Sequence, residues 1–283
     1  QVPSWGLVLT CGGDVQGDRI ELYVWAWGRG ERSAIIEREI VYGSPSEQST
    51  WDRVDEFLQT QFAHESGARL VIDATAIDSG GHHTQEVYNF CRARAWRRVF
   101  AIKGQSQSGK AILGKPTDMD VSFKGVKIKR GVKLWPVGVD TAKAMLYGRL
   151  RIAEHGPGYV HLGKWMSSEV YEQLTAERMV TKYHKGHPRT EWVKPQGRRN
   201  EALDCAVYAL AASYFLGLPR WREPDWQRVE QRIRQADLLD AVTEKATPQN
   251  EQTGIDKPES EPKQVQQKQP RRIRRAGFVG GFR

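Results

Sequence analysis

Cysteine is scarce in this 283-residue chain: Cys11, Cys91 and Cys205 are odd in number, far apart and set in apolar runs. That pattern excludes a disulfide framework and a cysteine-rich zinc site, and fits the reduced thiols of an intracellular protein. Long apolar runs are missing too. Nothing reaches the roughly 20 residues of a membrane-spanning helix, and no secretory signal opens the chain, so no membrane partner is expected. The stretch GQSQSGK (104–110) places Ala111 where a phosphate-binding loop needs Ser or Thr, which argues against an ATP site. Strand-like sequence begins within a few residues of Gln1, so the chain is expected to be a fragment, or the C-terminal part, of something longer.

Acidic residues are also outnumbered. The net charge is +9, and the excess is concentrated. Residues 103–133 carry eight Lys/Arg against Asp118 and Asp120, and residues 178–199 carry seven against Glu191. Each stretch holds about +6, leaving the remainder slightly acidic. Clustering of this kind reads as an electrostatic footprint for nucleic acid, with a merely solvated basic face as the alternative. The expected DNA contacts are Lys110, Lys115, Lys124, Lys127, Lys129, Arg130, Lys182, Lys185, Arg189, Arg198 and Arg199.

Residues 5–43 alternate apolar and polar positions between turns at Gln16-Gly17-Asp18 and Arg29-Gly30-Glu31, predicting a three-stranded antiparallel meander. TWDRVDEFLQTQF has helical spacing, LVIDATA has the unbroken apolar character of a buried parallel strand, and HHTQEVYNFCRARA is an amphipathic helix. Strand RVFAIKG, strands within KGVKIKRGVKLWPVG and helix DTAKAMLYGRL follow. This order predicts an α/β fold with a mixed central sheet flanked by helices. Residues 1–218 are read as one domain, with a basic β-hairpin insertion over about 156–199. Residues 219–245 are read as a helical extension, and 246–283 as a flexible basic tail, poor in apolar residues, that ends in RRIRRAGFVGGFR.

Three aspartates carry charge where the pattern calls for burial: Asp14 in LTCGGDVQGD, Asp73 in ARLVIDATA and Asp204 in NEALDCAVYALAA. A buried carboxylate must be neutralised, hydrogen-bonded or bound to a cation. Asp14 can also be read as a turn residue, Asp73 as a helix cap, and Asp204 as partial compensation of a helix dipole. Asp204 is the hardest to explain structurally, because it is the only formal charge between Ala202 and Leu218. A meander, a helix and a parallel strand beside the first strand begin a ribonuclease H-like fold. In that fold Asp14 and Asp73 would be neighbours and a helix would bring Asp204 to them. Three carboxylates repel unless hard divalent cations join them, so two Mg²⁺ or Mn²⁺ ions holding a phosphodiester are the expected cofactors. Lys103, His82, His83 and Asp78 are auxiliary candidates near the same face.

The segments GGDVQGDRIELYVWAWG, VIDATAIDSGGHHTQEVYNFC, VGVDTAKAMLYGRL, GPGYVHL and NEALDCAVYALAA, in this order, resemble the nuclease domain of large terminase subunits from tailed phages, in the lambda-like branch. The resemblance implies a metal-dependent endonuclease that cuts concatemeric double-stranded DNA in the host cell cytoplasm. It assigns the acidic triad to Asp14, Asp73 and Asp204. It further implies an ATPase motor elsewhere in the full-length chain, a small terminase subunit as partner, and docking to the procapsid portal through the C-terminal tail. A DNA-binding and docking module without catalysis, or another ribonuclease H-like nuclease such as a resolvase, are the alternatives.

Overall fold

The computed structural model describes residues 1–184 and 186–246. Residues Gln1–Lys245 form one compact unit. Lys185 and the tail segment 247–283, including Arg271–Arg275, lie outside the described residues.

The predicted meander is present as β1 (Val8–Val15), β2 (Arg19–Trp27) and β3 (Ser33–Tyr42). Next come α1 (Gln48–Leu58), the short pair β4 (Phe62–Ala63) and β5 (Arg69–Leu70), then β6 (Ile72–Asp78) and α2 (Thr84–Ala93). They are followed by β7 (Val99–Gln105), β8 (Thr117–Phe123), β9 (Val126–Gly138) and α3 (Val139–Leu150). The remainder comprises β10 (Val160–His161), α4 (Ser168–Leu174), the hairpin β11 (Arg178–His184) and β12 (His187–Val193), α5 (Glu201–Leu216) and α6 (Glu223–Ala246).

Eight strands form one sheet in the order β10-β3-β2-β1-β6-β7-β9-β8. Strands β1, β2 and β3 pair antiparallel, and β6, β7 and β9 extend the sheet parallel to β1. A meander whose first strand also pairs with the strand after the first helix is the ribonuclease H-like arrangement. Alternation along β2 explains the two-sided burial: Tyr23, Trp25 and Trp27 face one layer, and Ile20, Leu22, Val24 and Ala26 the other. The first layer holds α3, α4, α5 and α6; the second holds α1 and α2. Helix α5 is apolar on all sides because the sheet and neighbouring helices enclose it, with Ala202, Leu203, Ala206, Ala209 and Leu210 all essentially inaccessible. Helix α6 docks through Trp226 and Ile233.

Candidate active site under helix α5

Helix α5 lies unusually close to β1, and Gly12 is the reason. A Cβ on Gly12 would sit 1.9 Å from the carbonyl oxygen of Cys205, so only glycine permits the contact. One turn along, Thr10 Oγ1 donates a 2.9 Å hydrogen bond to the Ala209 carbonyl. Residues 10, 12 and 14 therefore share the face of β1 under α5. The helix runs antiparallel to the strand, which sets Asp204 over Asp14.

The parallel register completes the cluster. Gly13 pairs with Ile77, so Asp14 and Asp78 come next on the two neighbouring strands, at the C-terminal ends of both. Burial is the main cause that pushes the Asp14 carboxyl up to about 8, and the charges of Asp204, Asp78 and Glu201 push it further. Burial likewise raises Asp78 to about 6, with Asp204 adding to it. Asp204 is raised by burial, with Lys143 pulling the other way. Each carboxylate is held: Gln16 Nε2 donates to Asp14 Oδ2, the Gly80 amide to Asp78 Oδ1 at 3.1 Å, and Asn200 Nδ2 to Asp204 Oδ2 at 2.8 Å.

Asp73 is elsewhere, which corrects the expected triad. It is the second residue of β6, five positions before Asp78, or roughly 17 Å at the rise of an extended strand. Its carboxylate accepts the Leu9 amide at 3.0 Å, where the β1–β6 register shifts between Leu9 and Thr10. The side chain thus replaces a missing backbone acceptor at the irregularity, which accounts for its burial without any cation. Its raised pKa comes from that burial, offset by the Leu9 hydrogen bond and by Arg98 and Arg232.

Two buried residues that the sequence did not single out stand beside Asp204. Lys143 Nζ on α3 lies 2.7 Å from Glu177 Oε1 and 3.2 Å from Asp204 Oδ1. Asn200 Nδ2 bridges to the same Glu177 oxygen at 2.8 Å. Next to them opens a polar cleft of about 930 Å³, lined by Ser106, Gln107, Asp140, Lys143, Glu177, Trp192 and Lys194 among others. Lys103, exposed on β7, contributes a stabilising positive charge to Asp78. His82 and His83 lie on the loop after β6, His83 at the start of α2, and among the described residues neither hydrogen-bonds to the acids.

The basic residues divide. Lys110 lies on the loop against α3, where Thr141 binds its carbonyl at 2.7 Å, and Lys115 is exposed just before β8. Lys182 on β11 pairs with Glu191, and Arg198 is exposed before α5. Arg189 lies on β12. Lys124, Lys127, Lys129 and Arg130 surround the β8–β9 turn, at the far end of the sheet from the acids: Lys127 is eight residues from Trp135, which pairs with Ile102 beside Asp78. That is roughly 26 Å along the strand. Arg199, although exposed, is committed to ion pairs. Its guanidinium is tied to Glu21, Glu169 and Glu201, and Glu21 is fully buried among Arg19, Arg38 and Arg199.

The donor set suits a divalent cation: three oxygen-bearing carboxylates on one patch, of which Asp14 and Asp78 have no cationic hydrogen-bond partner among the described residues. As arranged, no three His, Cys, Asp or Glu side chains among the described residues already converge at ligating distance. Both Asp204 oxygens are engaged by Lys143 and Asn200.

Residues 1–226 match the family described as the terminase large subunit gpA, endonuclease domain. The chain belongs to this family. The large terminase subunit of Escherichia phage lambda is 36% identical over 230 residues, covering 78% of this chain and 34% of that protein. That of Enterobacteria phage P21 is 34% identical over 229 residues, with the same coverage. The terminase domain thus spans about a third of the length of these relatives. Among solved structures, Thermus thermophilus RuvC aligns at 14% identity and a TM-score of 0.36, over 75% of this chain and 97% of that one. The nuclease domain of the large terminase subunit gp2 of bacterial virus Sf6, with manganese and beta-thujaplicinol, aligns at 12% identity and a TM-score of 0.39, over 72% and 86%. Among the described residues, no helix is long and apolar enough to cross a membrane.

Proposed function

We propose that this domain is a divalent-metal-dependent DNA endonuclease whose acidic site is Asp14, Asp78 and Asp204. The observation that carries the reading is that these three carboxylates lie within range of one another's charge, at the C-terminal ends of β1 and β6 and on α5 above them, where burial and mutual repulsion hold Asp14 and Asp78 above the usual carboxylate range. Carboxylates placed this way are neutralised by protons or by cations, and the hard Mg²⁺ or Mn²⁺ fits their chemistry. Two bound ions would supply Lewis-acid polarisation of the scissile phosphate and a water of lowered pKa. The protein's own part is positional. Gln16, the Gly80 amide and Asn200 fix the three carboxylates, and Lys103 adds positive charge beside Asp78 for a phosphate oxygen. The polar cleft with Lys194 and Trp192, joined to Asp204 through Lys143 in its wall, would take the strand.

The substrate in this reading is concatemeric double-stranded viral DNA, cut to make genome ends. A small terminase subunit would recognise sequence, an ATPase motor elsewhere in the full-length chain would move the DNA, and the tail would reach the portal. Incubation with supercoiled plasmid and Mn²⁺ tests the core of it. The wild type should nick, Asp78→Asn should lose at least about a hundredfold in rate, and Asp73→Asn should stay within a few-fold. No metal-dependent nicking by the wild type refutes the enzyme reading and leaves a DNA-binding module. Cleavage restricted to branched junctions would instead indicate a resolvase.

A further inference from the structure

We propose that Lys143 is a built-in counter-cation of the acidic site, one that competes with divalent metal for Asp204 and so sets the site's metal affinity. The inference rests on the reading of Asp14, Asp78 and Asp204 as the metal-holding residues.

Lysine is rarely buried, yet Lys143 is only 6% exposed on α3. Its ammonium makes two contacts, to Glu177 Oε1 at 2.7 Å and Asp204 Oδ1 at 3.2 Å, and both partners are themselves largely buried. Glu177 receives a second donor from Asn200, which also holds the remaining oxygen of Asp204. The arrangement orients Asp204 completely and balances the charge of Glu177. A residue needed only for packing would not place a charged head beside a carboxylate of the cluster. Lys143 also lines the polar cleft, so its ammonium has somewhere to move when Asp204 is taken up by another cation.

Electrostatics fixes the direction. Asp204 belongs to the acid cluster and simultaneously to the Lys143 pair, so metal binding must share or displace the ammonium. Opposite charges at this range alter a carboxylate's affinity for a proton by about ten- to a thousandfold, and the effect on another cation has the same sign. Removing the ammonium should therefore tighten metal binding. Removing the negative charge of Glu177 should commit Lys143 more fully to Asp204 and weaken it. Lys143 is thereby a positioning residue: it acts through Asp204.

Calorimetric Mn²⁺ titration of the wild type, Lys143→Gln, Lys143→Arg and Glu177→Gln tests this, with thermal unfolding to confirm that each variant is folded. Lys143→Gln should bind Mn²⁺ at least about tenfold more tightly, Lys143→Arg should stay within about threefold of wild type, and Glu177→Gln should bind more weakly. Unchanged or weaker binding by Lys143→Gln, or tightening by Lys143→Arg to the same degree, overturns the proposal. If Lys143→Gln does not fold, the Glu177→Gln result decides: equal or tighter binding overturns it. A wild type that binds no Mn²⁺ at all removes the metal-site reading itself, a result distinct from any difference among the variants.

Discussion

Replacing Asp14 with Asn should stabilise the metal-free protein while abolishing cleavage. Asp14 is only 5% exposed, lies beside Asp78 and Asp204, and has its carboxyl pushed up to about 8. In the unfolded chain the same group ionises near 3.8. The native state thus binds this proton more tightly than the unfolded state does. Its stabilising contribution is complete below about pH 4 and is lost progressively as pH rises through about 8. At about 1.36 kcal/mol per pH unit, the loss by pH 7 is at most on the order of 4 kcal/mol. An Asn carries no charge to bury and can still accept the Gln16 hydrogen bond through its carbonyl oxygen. With relaxation of the pocket, a gain of about 2 kcal/mol at pH 7 is expected, or about 4–8 °C in Tm for a unit of this size. Thermal unfolding in EDTA between pH 5 and pH 8.5 measures it. The Asn variant should unfold at higher temperature than wild type, with the gap widening as pH rises. Adding Mn²⁺ should close or reverse the gap, because only the wild type retains the full ligand set. A variant less stable than wild type at pH 8 in EDTA, or a gap independent of pH, would refute the reasoning.

Gly12→Ala should cost about 1–3 kcal/mol or more in denaturant unfolding, because its Cβ forces α5 off β1, and cleavage should fall with it. Asp73→Ala should cost about 1–3 kcal/mol by orphaning the Leu9 amide, yet leave the nicking rate of the folded protein within a few-fold; a hundredfold loss of rate would return Asp73 to the site. Lys182→Ala and Lys194→Ala should each lower the slope of log affinity for DNA against log salt by about one, whereas Lys127→Ala should not, a contrast that fluorescence anisotropy resolves. Arg199→Ala should lower stability through buried Glu21 while leaving the salt slope unchanged.

The alternation of β1 to β3 and the unbroken apolar run of α5 made the sheet and its central helix legible, because period and burial are local properties of the chain. Asp204 was legible for the same reason, as a lone charge in an apolar helix. Asp78 was not. The apolar run around VIDATA draws attention to Asp73, while IDSGGHHT reads as the opening of a loop. The strand in fact continues through Ala74 to Asp78, and the register with β1 puts Asp78 beside Asp14. A usable signal was present: a carboxylate at the end of β1 needs its neighbour at the end of the parallel strand, not at its start. Lys143 on α3, Glu177 between α4 and β11, and Asn200 at the start of α5 meet only through tertiary packing, and their separation in sequence hides the cluster. The basic stretch 103–133 looked continuous, but the β8–β9 hairpin carries its second half to the far end of the sheet.

Diffraction from crystals soaked in Mn²⁺, with anomalous differences, tests the central claim most directly. Manganese should appear between Asp14, Asp78 and Asp204, with the Lys143 ammonium displaced from Asp204. Manganese bound at Asp73, or no bound manganese at the three carboxylates, would contradict the account.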